Sequence, residues 1–147
     1  MRFVCDVMLG KLARYLRLFG LDTVYVRTED ALRDCLRREP DRVFLTRRRR
    51  MDVSSPRIQI RSEIAREQLL ELAGIIKASI RKEQLFTRCI ECNVGLIEVD
   101  REEIEALVPE FVYHHYRRFM ICPSCKRVFW EGSHTKGMEE LTREILA

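Results

Sequence analysis

Two C-x-x-C pairs, Cys89-Ile90-Glu91-Cys92 and Cys122-Pro123-Ser124-Cys125, stand 29 residues apart in the C-terminal half of the sequence. Each pair suits a tight turn that offers two thiolates, and two such turns supply the four sulfur ligands of one tetrahedral zinc ion. Four thiolates close the coordination sphere. The expectation is therefore a structural zinc site in a zinc ribbon, not a catalytic zinc with an open position. A redox role fits poorly, because neither pair heads a thioredoxin-like helix pattern. Cys5 and Cys35 lack partners at ligand spacing and read as small buried hydrophobes.

A second set of chemically capable residues follows short apolar runs. Asp6 follows Phe3-Val4-Cys5, Glu29 and Asp30 follow Val24-Tyr25-Val26, and Thr46 with four consecutive arginines, Arg47 to Arg50, follows Val43-Phe44-Leu45. If the three runs are parallel strands, all of these residues lie at the carboxyl edge of one sheet, where ligands of α/β proteins bind. Carboxylates gathered there could hold a magnesium or manganese ion through oxygen ligands, and such an ion activates water and stabilises a phosphoryl transition state. The same residues also have structural readings. Asp6 suits a cap, and Glu29 and Asp30 complement a helix dipole. Spacing alone leaves both open. The basic residues Lys11, Arg14 and Arg17, which recur on one helix, and Arg47 in the arginine run are either a solvated surface or a track for phosphates.

The elements that must position these groups alternate. Uninterrupted apolar triplets predict strands buried on both faces. Between the first two, Met8, Leu9, Leu12, Ala13, Leu16 and Phe19 form one helical stripe, with Gly20 where a C′ residue belongs. Glu29 to Arg38 predicts a second helix with Thr28 as its N-cap. Ile58 and Ile60 alternate with polar residues as in an edge strand. Ser62 or Glu63 opens a third helix through about Ala73. The β-α-β-α-β order predicts an α/β domain with a small parallel sheet and flanking helices over residues 1–84. Residues 85–147 form the ribbon, with a strand over Phe86–Ile90, a helix over Arg101–Leu107, a helix with Pro109 at N1 and a terminal helix from about Thr135 to Leu146.

Composition narrows the class. At 46% apolar residues the 147-residue chain is globular, not disordered. No apolar run approaches the roughly 18 residues that cross a bilayer, so no membrane partner is expected. The N-terminus reaches Asp6 without the apolar core of a signal peptide, which together with six cysteines points to a reducing, cytoplasmic setting. The formal charge is +4, from 27 basic and 23 acidic residues, and it understates the local basicity of the arginine run.

The opening Phe3-Val4-Cys5-Asp6-Val7-Met8-Leu9-Gly10-Lys11-Leu12-Ala13-Arg14-Tyr15-Leu16-Arg17-Leu18-Phe19-Gly20 resembles the start of the Mut-seven C-terminal RNase domain family, a PIN-like nuclease domain followed by a zinc ribbon. The similarity continues through Val43 to Arg47, Phe86 to Asn93, Phe119 to Cys125 and Phe129 to His134, nearly the whole chain. The resemblance implies a metal-dependent ribonuclease acting on RNA, with a divalent magnesium or manganese ion in addition to zinc. Asp6 matches the first acidic ligand, and Glu29 and Asp30 lie in the second acidic region, with Asp30 the better match. The third position departs from the pattern. Where the family reads Thr-Arg-Asp, this sequence has Thr46-Arg47-Arg48.

A guanidinium is always charged and cannot ligate a cation. At roughly 4 Å, Arg48 would repel a divalent ion by about 8 kcal/mol at an effective dielectric near 20. Four arrangements are open: Arg48 swings to solvent, Asp52 approaches instead, two carboxylates and waters suffice, or Arg48 pairs with Asp6 and replaces the metal. The resulting expectation is a PIN-like ribonuclease with weakened activity. The alternative is a non-catalytic RNA-binding zinc-ribbon protein on a nuclease scaffold, and a third reading is a protein-interaction adaptor. In either nucleic-acid reading Lys11, Arg14 and Arg47 grip the backbone. His114 and His115 read as surface residues. His134 reads either as a proton carrier or as a packing residue, and Trp130, Tyr113 and Phe129 as base stackers or core.

Overall fold

The structure is a computed structural model that describes residues 1–131 and 134–147, with the side chains of residues 134–136 outside the description. Two of the apolar triplets form the central strands of a four-stranded parallel sheet; the third, at Val24 and Tyr25, lies on an edge strand and is only half-buried, against the expectation of burial on both faces. Strands β1 (Phe3–Cys5), β2 (Thr23–Tyr25), β3 (Val43–Thr46) and β4 (Arg57–Gln59) lie in the order β2-β1-β3-β4. Phe3, Val4 and Cys5 pair on one side with Thr23, Val24 and Tyr25, and on the other with Val43, Phe44 and Leu45.

Alternation along the strands builds two cores. Phe3, Cys5 and Leu45 face one layer, together with Leu9, Leu12, Ala13 and Leu16 of the segment leading into and along helix α1 (Gly10–Leu18). Val4 and Phe44 face the other, against Leu32, Cys35 and Leu36 of α2 (Glu29–Arg38). Met8 departs from the expected stripe and is exposed, because a 3-10 turn over Val7–Leu9 precedes α1 and rotates it out. The ends of both helices follow their residues. Leu21 N–H donates to Leu16 C=O and Gly20 N–H to Arg17 C=O, a Schellman motif with Gly20 at φ +79°. Thr28 Oγ1 accepts the Ala31 N–H at 3.1 Å. Cys5 and Cys35 are buried free thiols, as read from the sequence.

The third expected helix is shorter and broken: α3 (Ala65–Glu71) is followed at once by α4 (Ala73–Ile76). Its start is delayed because Arg61 and Ser62 donate their backbone N–H groups to Glu71, and Ser62 Oγ accepts from Ile64 N–H, which holds residues 61–64 as a loop. In the ribbon, β5 (Ile97–Val99), β6 (Phe119–Ile121) and β7 (Val128–Trp130) form an antiparallel sheet over Ile104, Phe119 and Val128. The strand expected over Phe86–Ile90 is reduced to one bridge between Arg88 and Gly95, since Phe86 takes φ +60° and breaks the extended run. The helix expected over 101–107 is two 3-10 turns. Pro109 is the N-cap of helix α5 (Glu110–His115) and not its first residue.

The described apolar side chains of the terminal helix α6 (His134–Leu146) join the first core and not that of the ribbon sheet. Its Met138, Leu141 and Ile145 recur at i, i+3 and i+7 and are buried in the same core as α1, α3 and α4, while Glu144 pairs with Arg66. Residues 85–147 thus contribute to two cores. Among the described residues no helix is long and apolar enough to cross a membrane. Since Leu141 sits in the first core, Leu141→Ala should destabilise the parallel-sheet unit by about 2–4 kcal/mol, read as a lower urea midpoint for its cooperative unfolding.

Candidate functional site

The two cysteine turns are built alike. In the first, Cys89 N–H donates to Val94 C=O, Asn93 N–H donates to Cys89 C=O, and Cys92 N–H points at Cys89 Sγ, 3.4 Å away. In the second, Cys122, Lys126, Arg127 and Cys125 repeat every one of these bonds. Asn93 and Lys126, each directly after a second cysteine, take matching left-handed conformations at φ +64° and +63°. The four Sγ atoms lie within 4.8 Å of one another, and Cys89 Sγ to Cys125 Sγ is 3.8 Å. A tetrahedron with metal–sulfur bonds near 2.3 Å has edges of about 3.8 Å, so the cluster fits one metal ion. The clustered thiols hold their protons unevenly: at Cys122 burial is outweighed by the backbone N–H groups of Cys125 and Ser124, which bring its pKa to about 7, whereas hydrogen bonding with the Cys125 sulfur and burial push Cys92 up to about 12.

The second site lies at the carboxyl edge of β1 and β3. Asp6 follows β1 directly and is 2% exposed. Its Oδ1 accepts the Met8 N–H at 3.1 Å, capping the 3-10 turn, and its Oδ2 accepts the Thr46 hydroxyl at 2.6 Å. Thr46 Oγ1 in turn accepts the Arg48 N–H at 3.0 Å. The Arg48 side chain then reaches back over the edge: its Nε is 3.9 Å from Asp6 Oδ2 and its Nη1 bonds Glu29. The Glu29 hydrogen bond and the charges of Glu29 and Asp6 hold the Arg48 guanidinium above its ordinary pKa. Asp6 and Glu29 are therefore brought together, but across a cation. Asp30, the acid favoured from the sequence, is exposed outside this pair, because the first turn of α2 turns Glu29 and not Asp30 toward Arg48; Asp52 is exposed as well. Among the described residues only the cysteines form a group that could share a metal ion. The corner around Asp6 does not fit a divalent ion as it stands: one carboxylate has both oxygens in hydrogen bonds and a fixed positive charge beside it.

The basic residues divide by what covers them. Lys11 is exposed. Arg14, exposed as well, pairs with Glu91 of the first cysteine turn, which also meets Arg127 at 3.5 Å. Arg17 is 7% exposed; its Nε donates to Thr23 C=O at 2.9 Å and its Nη1 to Ile90 C=O at 2.7 Å, and burial lowers its pKa. Two of the three cations on α1 thus hold the ribbon. Arg47 turns away from Asp6 and meets Glu63 at 3.5 Å.

One network escaped the reading of the sequence. Asn93 accepts the Thr23 N–H at 2.9 Å and donates to Asp22 Oδ1 at 2.7 Å. Asp22 is gripped by Arg42, itself 4% exposed, which also donates to Phe3 C=O at 3.0 Å and to Glu39 at 2.9 Å. The signal was an asparagine immediately after Cys92, at a position that favours φ > 0. His114 and His115 are exposed on α5, with His115 stacked on Phe111. The His134 side chain lies outside the described residues, as do Gly132 and Ser133. Phe129 and Trp130 lie on β7; Trp130 and Tyr113 pack against the ribbon core.

Burial raises the Asp22 pKa, but the bonds from Arg42 and Asn93 prevail and depress it. A depressed carboxylate contributes stability above its unfolded value of about 3.9 and loses it as pH falls through the folded value. Asp22→Asn should therefore lower the melting temperature at neutral pH, and the gap from the parent should close below about pH 4, as thermal melts across pH would record.

A family model described as the Mut7-C RNAse domain matches residues 1–142. No curated protein and no solved structure matches the chain.

Proposed function

Because the chain belongs to the Mut7-C RNAse domain family, we propose that it acts on RNA through a nuclease scaffold whose acidic corner is held by Arg48 in place of a divalent ion. Hydrolysis is then weak or absent, and binding is the retained property. One observation carries this reading: Arg48 lies between Asp6 and Glu29, bonded to Glu29 and 3.9 Å from Asp6. When bound at such an edge, a magnesium or manganese ion would supply an activated water and charge neutralisation at the phosphoryl group. Arg48 can neutralise charge and bind phosphate, but it cannot activate water as a metal does.

A second reading, a metal-dependent ribonuclease using Asp6, Glu29 and Asp30, is favoured by the family and by the 38% exposure of the Arg48 side chain, which leaves it room to swing out. Solvent at that exposure also screens part of the repulsion. Manganese titration separates the two. The first reading expects no tight binding by the parent protein and a gain of about tenfold or more in affinity for Arg48→Asp. Tight binding by the parent that disappears in Asp6→Asn, with manganese-dependent RNA cleavage, would establish the second.

For the cysteine site the metal proposed is zinc. Cys89, Cys92, Cys122 and Cys125 would hold it, and four thiolates leave no position for substrate, so its contribution is to the fold. Lys11 and Arg47 remain the backbone-gripping candidates, with Arg14 shared with Glu91. The expected metal content is one zinc per chain by elemental analysis. Chelation should abolish the near-ultraviolet signal of Trp130, which packs against the ribbon core; an unchanged signal in metal-free protein would contradict a zinc-dependent ribbon.

A further inference from the structure

The four-arginine run is not one patch. Arg48 faces Asp6 and Glu29, whereas Arg47 and Arg49 join Arg61, Gln59 and Ile60 around a recess of about 480 Å³. The recess forms where β3 and β4 end side by side: Thr46 registers with Gln59, and Ile60 N–H donates to Thr46 C=O at 2.7 Å. Two adjacent parallel strand ends thus deliver three guanidinium groups to one concavity.

Like charges so placed repel one another unless an anion joins them. The protein supplies little of that anion. Glu63 meets Arg47 loosely, at 3.5 Å, from an exposed side chain, and among the described residues no ion pair to Arg49 or Arg61 is found. The nearby Glu67 and Glu71 are committed to the Ser62 hydroxyl and to the backbone N–H groups of Arg61 and Ser62. Arg47 Nη2 reaches only the Arg61 carbonyl, at 3.4 Å, and Glu63, while its Nε is buried with no hydrogen-bond partner.

We infer that this recess is a phosphate site that seats a phosphate group of a single-stranded RNA. Guanidinium forks match phosphate oxygens in pairs of hydrogen bonds, and three of them around one recess neutralise a phosphodiester or a terminal phosphate. The inference rests on the RNA-binding reading and adds to it the residues that grip, Arg49 and Arg61 beside Arg47.

The test measures binding of a 3′-fluorescein single-stranded RNA of roughly 12 nucleotides by anisotropy at several salt concentrations. It compares the parent protein with Arg49→Gln/Arg61→Gln and with Arg117→Gln/Arg118→Gln, an exposed pair on the ribbon with the same loss of charge. Matching thermal melts establish that all three are folded. The site predicts a loss of about tenfold or more for the first pair, with a salt slope shallower by about one unit, and less than about twofold for the second. Equal losses for the two pairs would overturn the site while leaving RNA binding intact. No RNA binding by the parent protein would overturn both. RNAs with and without a 5′-phosphate distinguish the source: tighter binding of the phosphorylated RNA identifies a terminal phosphate, and equal binding an internal phosphodiester, each dependent on Arg49 and Arg61.

Discussion

The guanidinium of Arg48 sets the chemistry of the sheet edge. Thr46 ends β3 with its hydroxyl on Asp6 and its Oγ1 accepting the Arg48 amide, so the backbone is held where the next side chain must return over the edge. Asp6 is buried with its oxygens already committed, and Glu29 begins α2 opposite it. Between two acidic groups, one of them desolvated, a positive charge is the natural occupant. Here that charge is covalently part of the chain, and Arg48 supplies it to both acids.

Arginine is used in three different ways, and burial decides which. Arg17 and Arg42 are almost fully enclosed: Arg17 joins Thr23 C=O to Ile90 C=O of the first cysteine turn, and Arg42 satisfies Phe3 C=O and the carboxylates of Asp22 and Glu39 within the sheet unit. Arg48 is half-open and neutralises acids. Arg47, Arg49 and Arg61 border an open recess with little counter-charge. Buried polar groups with all partners in place fix one arrangement of the two units. Asn93 extends this by tying the first cysteine turn to Asp22 and Thr23 at the edge of β2. The ribbon is in this sense part of the scaffold that positions the sheet.

The parallel sheet was legible because apolar triplets and a 3.6-residue stripe are local signals, and both helix ends carried their own punctuation in Gly20 and Thr28. The cysteine cluster was legible from spacing alone. What failed to show were relations between distant segments. Leu141 and Ile145 mark an apolar face without naming the core it joins. Arg14 and Arg17 lie off the apolar stripe and read as a solvated surface or a phosphate track, because nothing local announces that a cysteine turn will pair with the one and bury the other. The lost strand at Phe86 shows the same limit, since its left-handed backbone belongs to the junction at Leu18, whose carbonyl accepts the Phe86 N–H at 2.9 Å. The Arg48 conflict was visible as a residue type at one position, while its resolution as an ion pair with Asp6 and Glu29 required the fold.

The most direct test of the account is anomalous diffraction from crystals of the unaltered protein soaked in manganese. The account predicts Arg48 on Glu29 and beside Asp6, with no anomalous density at that corner. A manganese peak coordinated by the Asp6 carboxylate, with the Arg48 side chain displaced toward solvent, would contradict it.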